Sequence, residues 1–345
     1  MSTSAVDQTD TRSPLPHAER PRRVFVVGAT GTIGRATVRA LVRHGHEVVC
    51  FIRPPRAGAT ATTAASFPDG VVVRTGDVSR AASITEHGVR GESFDAVISC
   101  LASRTGSPRD AWAVDHDAHQ ALLAAARAAG VAHFVLLSAI CVQKPTLAFQ
   151  QAKLAFERSL TASGLRYSIV RPTAFFKSLS GQVARVQAGK PFLLFGDGAL
   201  TACAPIGDDD LAEYLVGCLD EPTRWNRVLP IGGPKPALTP KQQGEQLFAL
   251  VGKTPRFSQV PVALLDVIIA VFGGLGRVVP PLREKAELAK IGRYYATESM
   301  LVWNADQGRY DADATPSFGT ELLVDHWRRL IAGERVDDRG EHAVF

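Results

Sequence analysis

Cysteine is scarce in this 345-residue chain. Its five thiols, Cys50, Cys100, Cys141, Cys203 and Cys218, are odd in number and scattered, with no C-x-x-C pair and no spacing that suits zinc or an iron–sulfur cluster. A disulfide-stapled scaffold and a thiolate-bound metal centre are therefore excluded, and the thiols read as reduced and mostly buried. No apolar run reaches the roughly 18 residues of a membrane span. Net charge is only +5, and no basic stripe interleaved with aromatics follows a nucleic-acid backbone; an anionic small ligand explains the balance as well. The first 20 residues lack the apolar core of a secretory signal, and Asp7, Asp10 and Glu19 do not suit an organellar transit peptide. Polar and broken by Pro14 and Pro16, they read as a disordered tail. The default location is cytoplasmic.

What is present is a strand running into a glycine loop. Val24-Phe-Val-Val precedes Gly28-Ala-Thr30-Gly31-Thr32-Ile33-Gly34, and an amphipathic stretch from Arg35 to His44 follows at once. Strand, tight turn and helix in that order are the context in which such glycines hold a dinucleotide. Gly28 permits the turn, Gly31 lets backbone N–H groups approach a pyrophosphate, and Gly34 lets helix and strand pack closely, with the helix N-terminus facing the phosphates. The expected fold is α/β, a Rossmann-type doubly wound parallel sheet with a smaller, mostly helical C-terminal substrate-binding part. The expected division is a tail over 1–20, an NADP-binding core over 21–178, and a mixed region over 179–345 that completes the sheet and forms the substrate side.

Further strands are read at Glu47–Ile52, Val71–Thr75, Ala96–Cys100, His133–Ser138 and Tyr167–Arg171. After the second, where an acid would select NAD, stand Arg53 and Arg56, which suit a ribose 2′-phosphate; two solvated loop arginines are the plainer alternative. Asp77 follows the third strand and is read either as an acceptor for the adenine amino group or as a turn residue. Leu101 and Ser138 follow the fourth and fifth strands, beside the expected cofactor crevice. His116 and His119, in a long helix over Trp112–Ala129, read as a solvated face rather than metal ligands. Pro172 and Thr173 end the sixth strand where nicotinamide and substrate meet, Phe175 and Phe176 offer an apolar wall, and Lys177 suits an anionic group of the substrate; two core aromatics and a surface lysine are the plainer alternative. A helix begins at Thr239 with Pro240 in its first turn. The apolar stretch Val260–Phe272 is open to three readings: a lid over an apolar substrate, a surface touching membrane, or core.

In a short-chain dehydrogenase-like sheet the helix after the fifth strand presents Tyr-x-x-x-Lys, and here Phe149 holds the tyrosine position while Lys153 remains. Phenylalanine transfers no proton, so alcohol–ketone chemistry by that route is disfavoured. The chain resembles an atypical short-chain dehydrogenase of the isoflavone reductase-like and NmrA-like group. Longer segments, Ser99–Gly106, Phe134–Pro145, Phe149–Glu157 and Ser168–Leu179, resemble the NADPH-dependent divinyl chlorophyllide 8-vinyl reductases of chlorophyll and bacteriochlorophyll synthesis. That resemblance implies NADPH as cofactor, a divinyl tetrapyrrole as substrate, Lys153 as catalytic anchor of the nicotinamide ribose, and peripheral contact with a photosynthetic membrane. The short tail suggests a version without a plastid extension. The alternatives are a non-enzymatic NADP-sensing regulator and a reductase of isoflavone-like or benzylic ether substrates.

Overall fold

The computed structural model describes residues 20–54, 67–276 and 278–334. Arg56, the loop around it and most of the expected tail lie outside the described residues. The strands are β1 (Arg23–Val27), β2 (Glu47–Ile52), β3 (Val72–Thr75), β4 (Ala96–Ser99), β5 (His133–Leu137), β6 (Arg166–Pro172), β7 (Phe192–Phe195), β8 (Arg227–Ile231), β9 (Phe257–Val260), β10 (Val302–Asn304) and β11 (Arg309–Asp311). Seven of them form one parallel sheet in the order β3-β2-β1-β4-β5-β6-β8. The chain runs outward from β1 to one edge, returns beside β1 as β4, and continues to the other edge. That reversal opens a crevice beyond the carboxyl ends of β1 and β4.

Alternation along each strand explains why both faces are covered. Val24 and Val26 point into a cluster with Val48, Cys50, Ile98 and Val135, under the helices Thr32–Arg43 and Asp208–Gly217. Phe25 and Val27 point the other way, to Val49, Phe51, Val97, Phe134 and Phe156. Each fully buried side chain of this size contributes roughly 1.5–3 kcal/mol, and near-continuous apolar strands are what a sheet buried on both faces demands. Across the first face, Arg39 pairs with Asp209 at 2.8 Å and Arg43 with Glu213 at 2.6 Å, tying the two helices at the rim.

The expected helix over Trp112–Ala129 is two consecutive segments, a wide π-helical stretch Trp112–Ala118 and the α-helix His119–Ala128, and it is preceded by a helical turn at Pro108–Ala111. The solvated-face reading fails for His119, which is 1% exposed. Its Nδ1 lies 2.9 Å from the Val114 carbonyl and its Nε2 2.8 Å from Ser99 Oγ, so the ring sits between helix and sheet with both nitrogens engaged.

The C-terminal region adds β8 to the main sheet, the pair β7–β9, the hairpin β10–β11 and several helices. The helix Pro240–Leu250 starts as its sequence predicts, with Thr239 Oγ1 accepting from the Gln242 N–H and Gln242 Oε1 accepting from the Thr239 N–H. The apolar stretch forms the helix Val262–Leu275, none of whose residues is buried. That removes the core reading. It packs against the helix Pro280–Thr297, with Asp266 paired to Arg293.

Candidate active site

The glycine loop is shaped by contacts that no side chain fits. Gly28 has φ +74°, and a Cβ there would lie 2.5 Å from the carbonyl of Cys100. At Gly34 a Cβ would lie 2.1 Å from the Gly28 oxygen. At Gly31 it would meet only the Gly28 oxygen, at 3.4 Å, so the loop stays open on its outer side. Gly31 is the N-cap of the Thr32–Arg43 helix, with no side-chain cap and no acid in the first turn. The cradle and the uncapped, positively polarised helix end fit a dinucleotide diphosphate.

Around it, the carboxyl ends of successive strands bring most of the sequence-predicted residues to one edge. Arg53 is exposed directly after β2. Asp77, after β3, is exposed, and its Oδ1 accepts from the N–H and the hydroxyl of Ser79 at 2.9 and 2.7 Å. Those hydrogen bonds hold its carboxyl below the usual range, with the nearby charges of Arg80 and Arg53 adding to the effect. A turn role is thus filled by one oxygen. Leu101 is half-buried at the end of β4. Ile33 is 7% exposed and serves the core, while the Thr30 carbonyl accepts from Arg35 Nε at 2.9 Å.

Four of the predicted side chains are engaged by other parts of the protein. Ser138 is 5% exposed and donates its hydroxyl to Glu157 Oε1 at 2.5 Å; Glu157 also pairs with Arg171. Its side chain is spent inside the protein because β5, β6 and the Ala148–Thr161 helix converge there. Thr173 likewise turns its hydroxyl to the Ala204 carbonyl, while its N–H bonds Ile231 O at 2.9 Å, locking β6 to β8. Phe176 is 1% exposed, packed with Val183, Phe192, Phe248 and Trp327, so of the expected aromatic wall only Phe175 stays partly open, and it leans on the first-face core. Lys177 does not point to open solvent; its Nζ lies 3.0 Å from Thr32 Oγ1, on the glycine loop.

Lys153 projects from the Ala148–Thr161 helix to Asp115, Nζ to Oδ1 2.9 Å, with the two side chains 11% and 0% exposed. The same oxygen accepts from the Ser103 N–H at 3.2 Å, so the pair is anchored to the loop after β4. Phe149, one turn earlier, is 9% exposed and packs with Ile291 and Tyr294 of the Pro280–Thr297 helix.

The profile described as NAD(P)H-binding matches residues 28–222. The chloroplastic divinyl chlorophyllide a 8-vinyl-reductase of Oryza sativa subsp. indica is 48% identical over 337 residues, which span 93% of this chain and 82% of that protein. The protein of the same name from Arabidopsis thaliana is 44% identical over 331 residues, spanning 92% and 79%. This chain belongs to the divinyl chlorophyllide a 8-vinyl-reductase family. An NADPH-dependent quinone oxidoreductase from Escherichia coli, solved with NADPH, superposes with a TM-score of 0.64 at 18% identity, covering 89% of this chain and 99% of that one. That likeness shows the Rossmann-type α/β fold.

For a reductase of this family the informative residues that the sequence did not single out are Asp115, Glu157 and the two phenols of the C-terminal helix. Asp115 carried no signal, being one acid among several in a helical stretch. Tyr294 donates its phenol to the Cys141 carbonyl at 2.8 Å, and the Tyr295 hydroxyl stands 4.0 Å from Cys141 Sγ. Both tyrosines stand about 145 residues beyond Phe149 in the chain, and no spacing rule joins positions so far apart. The thiols are chemically quiet: burial pushes Cys50, Cys100 and Cys203 up to about 12.

Proposed function

We propose that this chain uses NADPH to reduce the 8-vinyl group of a divinyl chlorophyllide-type tetrapyrrole to ethyl. The observation that carries the reading is the 48% identity to the rice reductase, extended over 337 residues and so through both the cofactor half and the C-terminal region. When bound, NADPH supplies the hydride, which a vinyl group accepts at its terminal carbon because the conjugated macrocycle delocalises the charge; a proton completes the ethyl group at the inner carbon.

The chain's own work is binding, orientation and water exclusion. Gly28, Gly31 and Gly34, with Thr30 and Thr32, hold the diphosphate; Arg53 meets the 2′-phosphate; Lys153, aligned by Asp115, meets the nicotinamide ribose. Leu101 and the backbone of Pro172 and Thr173 border the nicotinamide. With phenylalanine at position 149 the usual phenol is lacking, so the electron sink is the substrate ring. The Lys153 ammonium is the proton-bearing group that the helix retains there. Phe175 and the C-terminal region supply the apolar side on which the macrocycle rests.

The reading also includes peripheral contact with a membrane through the Val262–Leu275 helix. Leu264, Val267, Val271 and Leu275 are 48%, 58%, 49% and 52% exposed and recur at helical spacing on one face. None of the described helices is long and apolar enough to cross a membrane. The test of function is incubation of the purified chain with NADPH and divinyl chlorophyllide, followed by chromatography of the pigment. Conversion to the 8-ethyl product is expected, and NADPH binding without any conversion would favour a sensing role. Flotation with liposomes tests the membrane contact, which fails if the protein stays in the dense fraction.

A further inference from the structure

Lys177 stands on the helical turn Phe176–Leu179 after β6, and 145 residues separate it from the Thr32 hydroxyl that its ammonium reaches at 3.0 Å. The contact spans the crevice, from the substrate side to the first residue of the helix that follows the glycine loop. Among the described residues Lys177 makes no ion pair, and its hydrogen bond goes to a neutral hydroxyl. Thr32 opens a helix of 12 residues with no acid in its first turn and no side-chain cap. A lysine is therefore held against the positive end of a helix dipole, an arrangement that repels unless an anion lies between or beside them. Arg35 adds a second cation at the same loop, donating to the Thr30 carbonyl at 2.9 Å. At the neighbouring Gly31 the loop is open to approach, since an added Cβ would meet only the Gly28 oxygen at 3.4 Å.

We infer that Lys177 is a ligand of the cofactor's diphosphate, closing on it from the β6 side of the crevice opposite the glycine loop, and not a partner of a substrate carboxylate. The inference rests on the NADPH reading above. It separates the two cofactor cations by chemistry: Arg53 addresses the 2′-phosphate that NADP carries and NAD lacks, whereas Lys177 addresses the diphosphate common to both. It also couples the halves of the molecule, because the turn that bears Lys177 begins with Phe176, a residue of the C-terminal core.

The experiment measures affinities of the full chain directly, by calorimetry or quenching of tryptophan fluorescence, for NADP⁺, NAD⁺ and 2′-AMP, which bears the 2′-phosphate but no diphosphate. Lys177→Gln, whose retained fold is checked by circular dichroism and Tm, is expected to weaken NADP⁺ and NAD⁺ by a similar factor of about 10- to 100-fold, the range for one charge-assisted hydrogen bond. Its affinity for 2′-AMP should be unchanged, Lys177→Arg should restore most of the dinucleotide affinity, and the tetrapyrrole KM at saturating NADPH should stay within about twofold of the parent. Unchanged dinucleotide affinity in Lys177→Gln overturns the assignment, as does a raised tetrapyrrole KM alone, which would mark a substrate role. A parent chain that binds neither dinucleotide would sink the cofactor reading itself, a result distinct from either.

Discussion

The Lys153 ammonium is held 2.9 Å from the carboxylate of Asp115, whose side chain is wholly buried. An ion pair in that setting fixes the direction of the lysine, and it makes each partner's removal costly to the other. The second carboxylate oxygen, Asp115 Oδ2, has no hydrogen-bond partner among the described residues, so the lysine is the chief compensation for a buried charge.

Asp115→Asn and Lys153→Met are each expected to lose stability, because breaking a buried pair strands a charge at a cost of roughly 3–5 kcal/mol, with the lower end apt for a lysine that keeps some exposure. The double variant should lose less than the sum of the two, with a coupling of about 1–3 kcal/mol in urea unfolding. Turnover should fall at least tenfold or so in both single variants. Additive stabilities would show that the pair is not energetically linked, and near-normal kcat and KM in Lys153→Met would refute the role proposed for it.

Arg53→Ala tests cofactor choice. One charge-assisted hydrogen bond to a phosphate corresponds to about a 10- to 100-fold preference. The variant should therefore raise the apparent KM for NADPH by that factor and leave NADH nearly unaffected. Equal effects on the two cofactors would withdraw the 2′-phosphate assignment.

The strands and the glycine loop were legible because each is a local pattern: continuous apolar runs, a turn glycine, a helix start marked by Thr239 and Pro240. The edge occupied by Arg53, Asp77 and Leu101 followed from the same patterns, since a parallel sheet places all its carboxyl ends together, and Lys153 followed from its place in the helix after the fifth strand. What escaped was set by contacts between distant segments. Of the two readings open for Phe176, lining or core, the choice is made by Trp327 and Phe248, which come from distant segments and enclose it. Ser138 and Thr173 had the right address, but Glu157 and the Ala204 carbonyl take their hydroxyls. A regular helical period puts His119 on a solvated face, whereas the π-helical stretch just before it turns the ring toward the sheet.

Two glycines separate binding from folding. Gly34→Ala would drive a Cβ to 2.1 Å from the Gly28 oxygen, a backbone clash that the loop must move to relieve. A loss of about 1–3 kcal/mol in stability is expected, together with weakened NADP⁺ binding. Gly31→Ala meets only one atom, at 3.4 Å, and should keep its Tm while losing NADP⁺ affinity, because the methyl group would stand in the path proposed for the diphosphate. If Gly31→Ala binds NADP⁺ as the parent does, the diphosphate does not pass over that position.

Acid should destabilise the fold well above the carboxylate range. Burial, with the nearby Lys153 charge, lowers His119 to about 4, and burial with Arg166 lowers His133 to about 3. The unfolded chain takes up a proton near 6.5. Below that pH the unfolded state binds protons that the native state refuses, so the stability each imidazole contributes is complete above about 6.5 and drains away as pH falls toward its native value. At pH 5.5 the slope from one such histidine is about 1 kcal/mol per pH unit. His119→Gln keeps an acceptor for Ser99 and a donor for Val114 but does not titrate. Urea unfolding at pH 7.5, 6.5, 5.5 and 4.8 should therefore show a flatter decline for this variant than for the parent. Parallel declines would mean that His119 is not held neutral by its burial between Ser99 and the π-helical stretch.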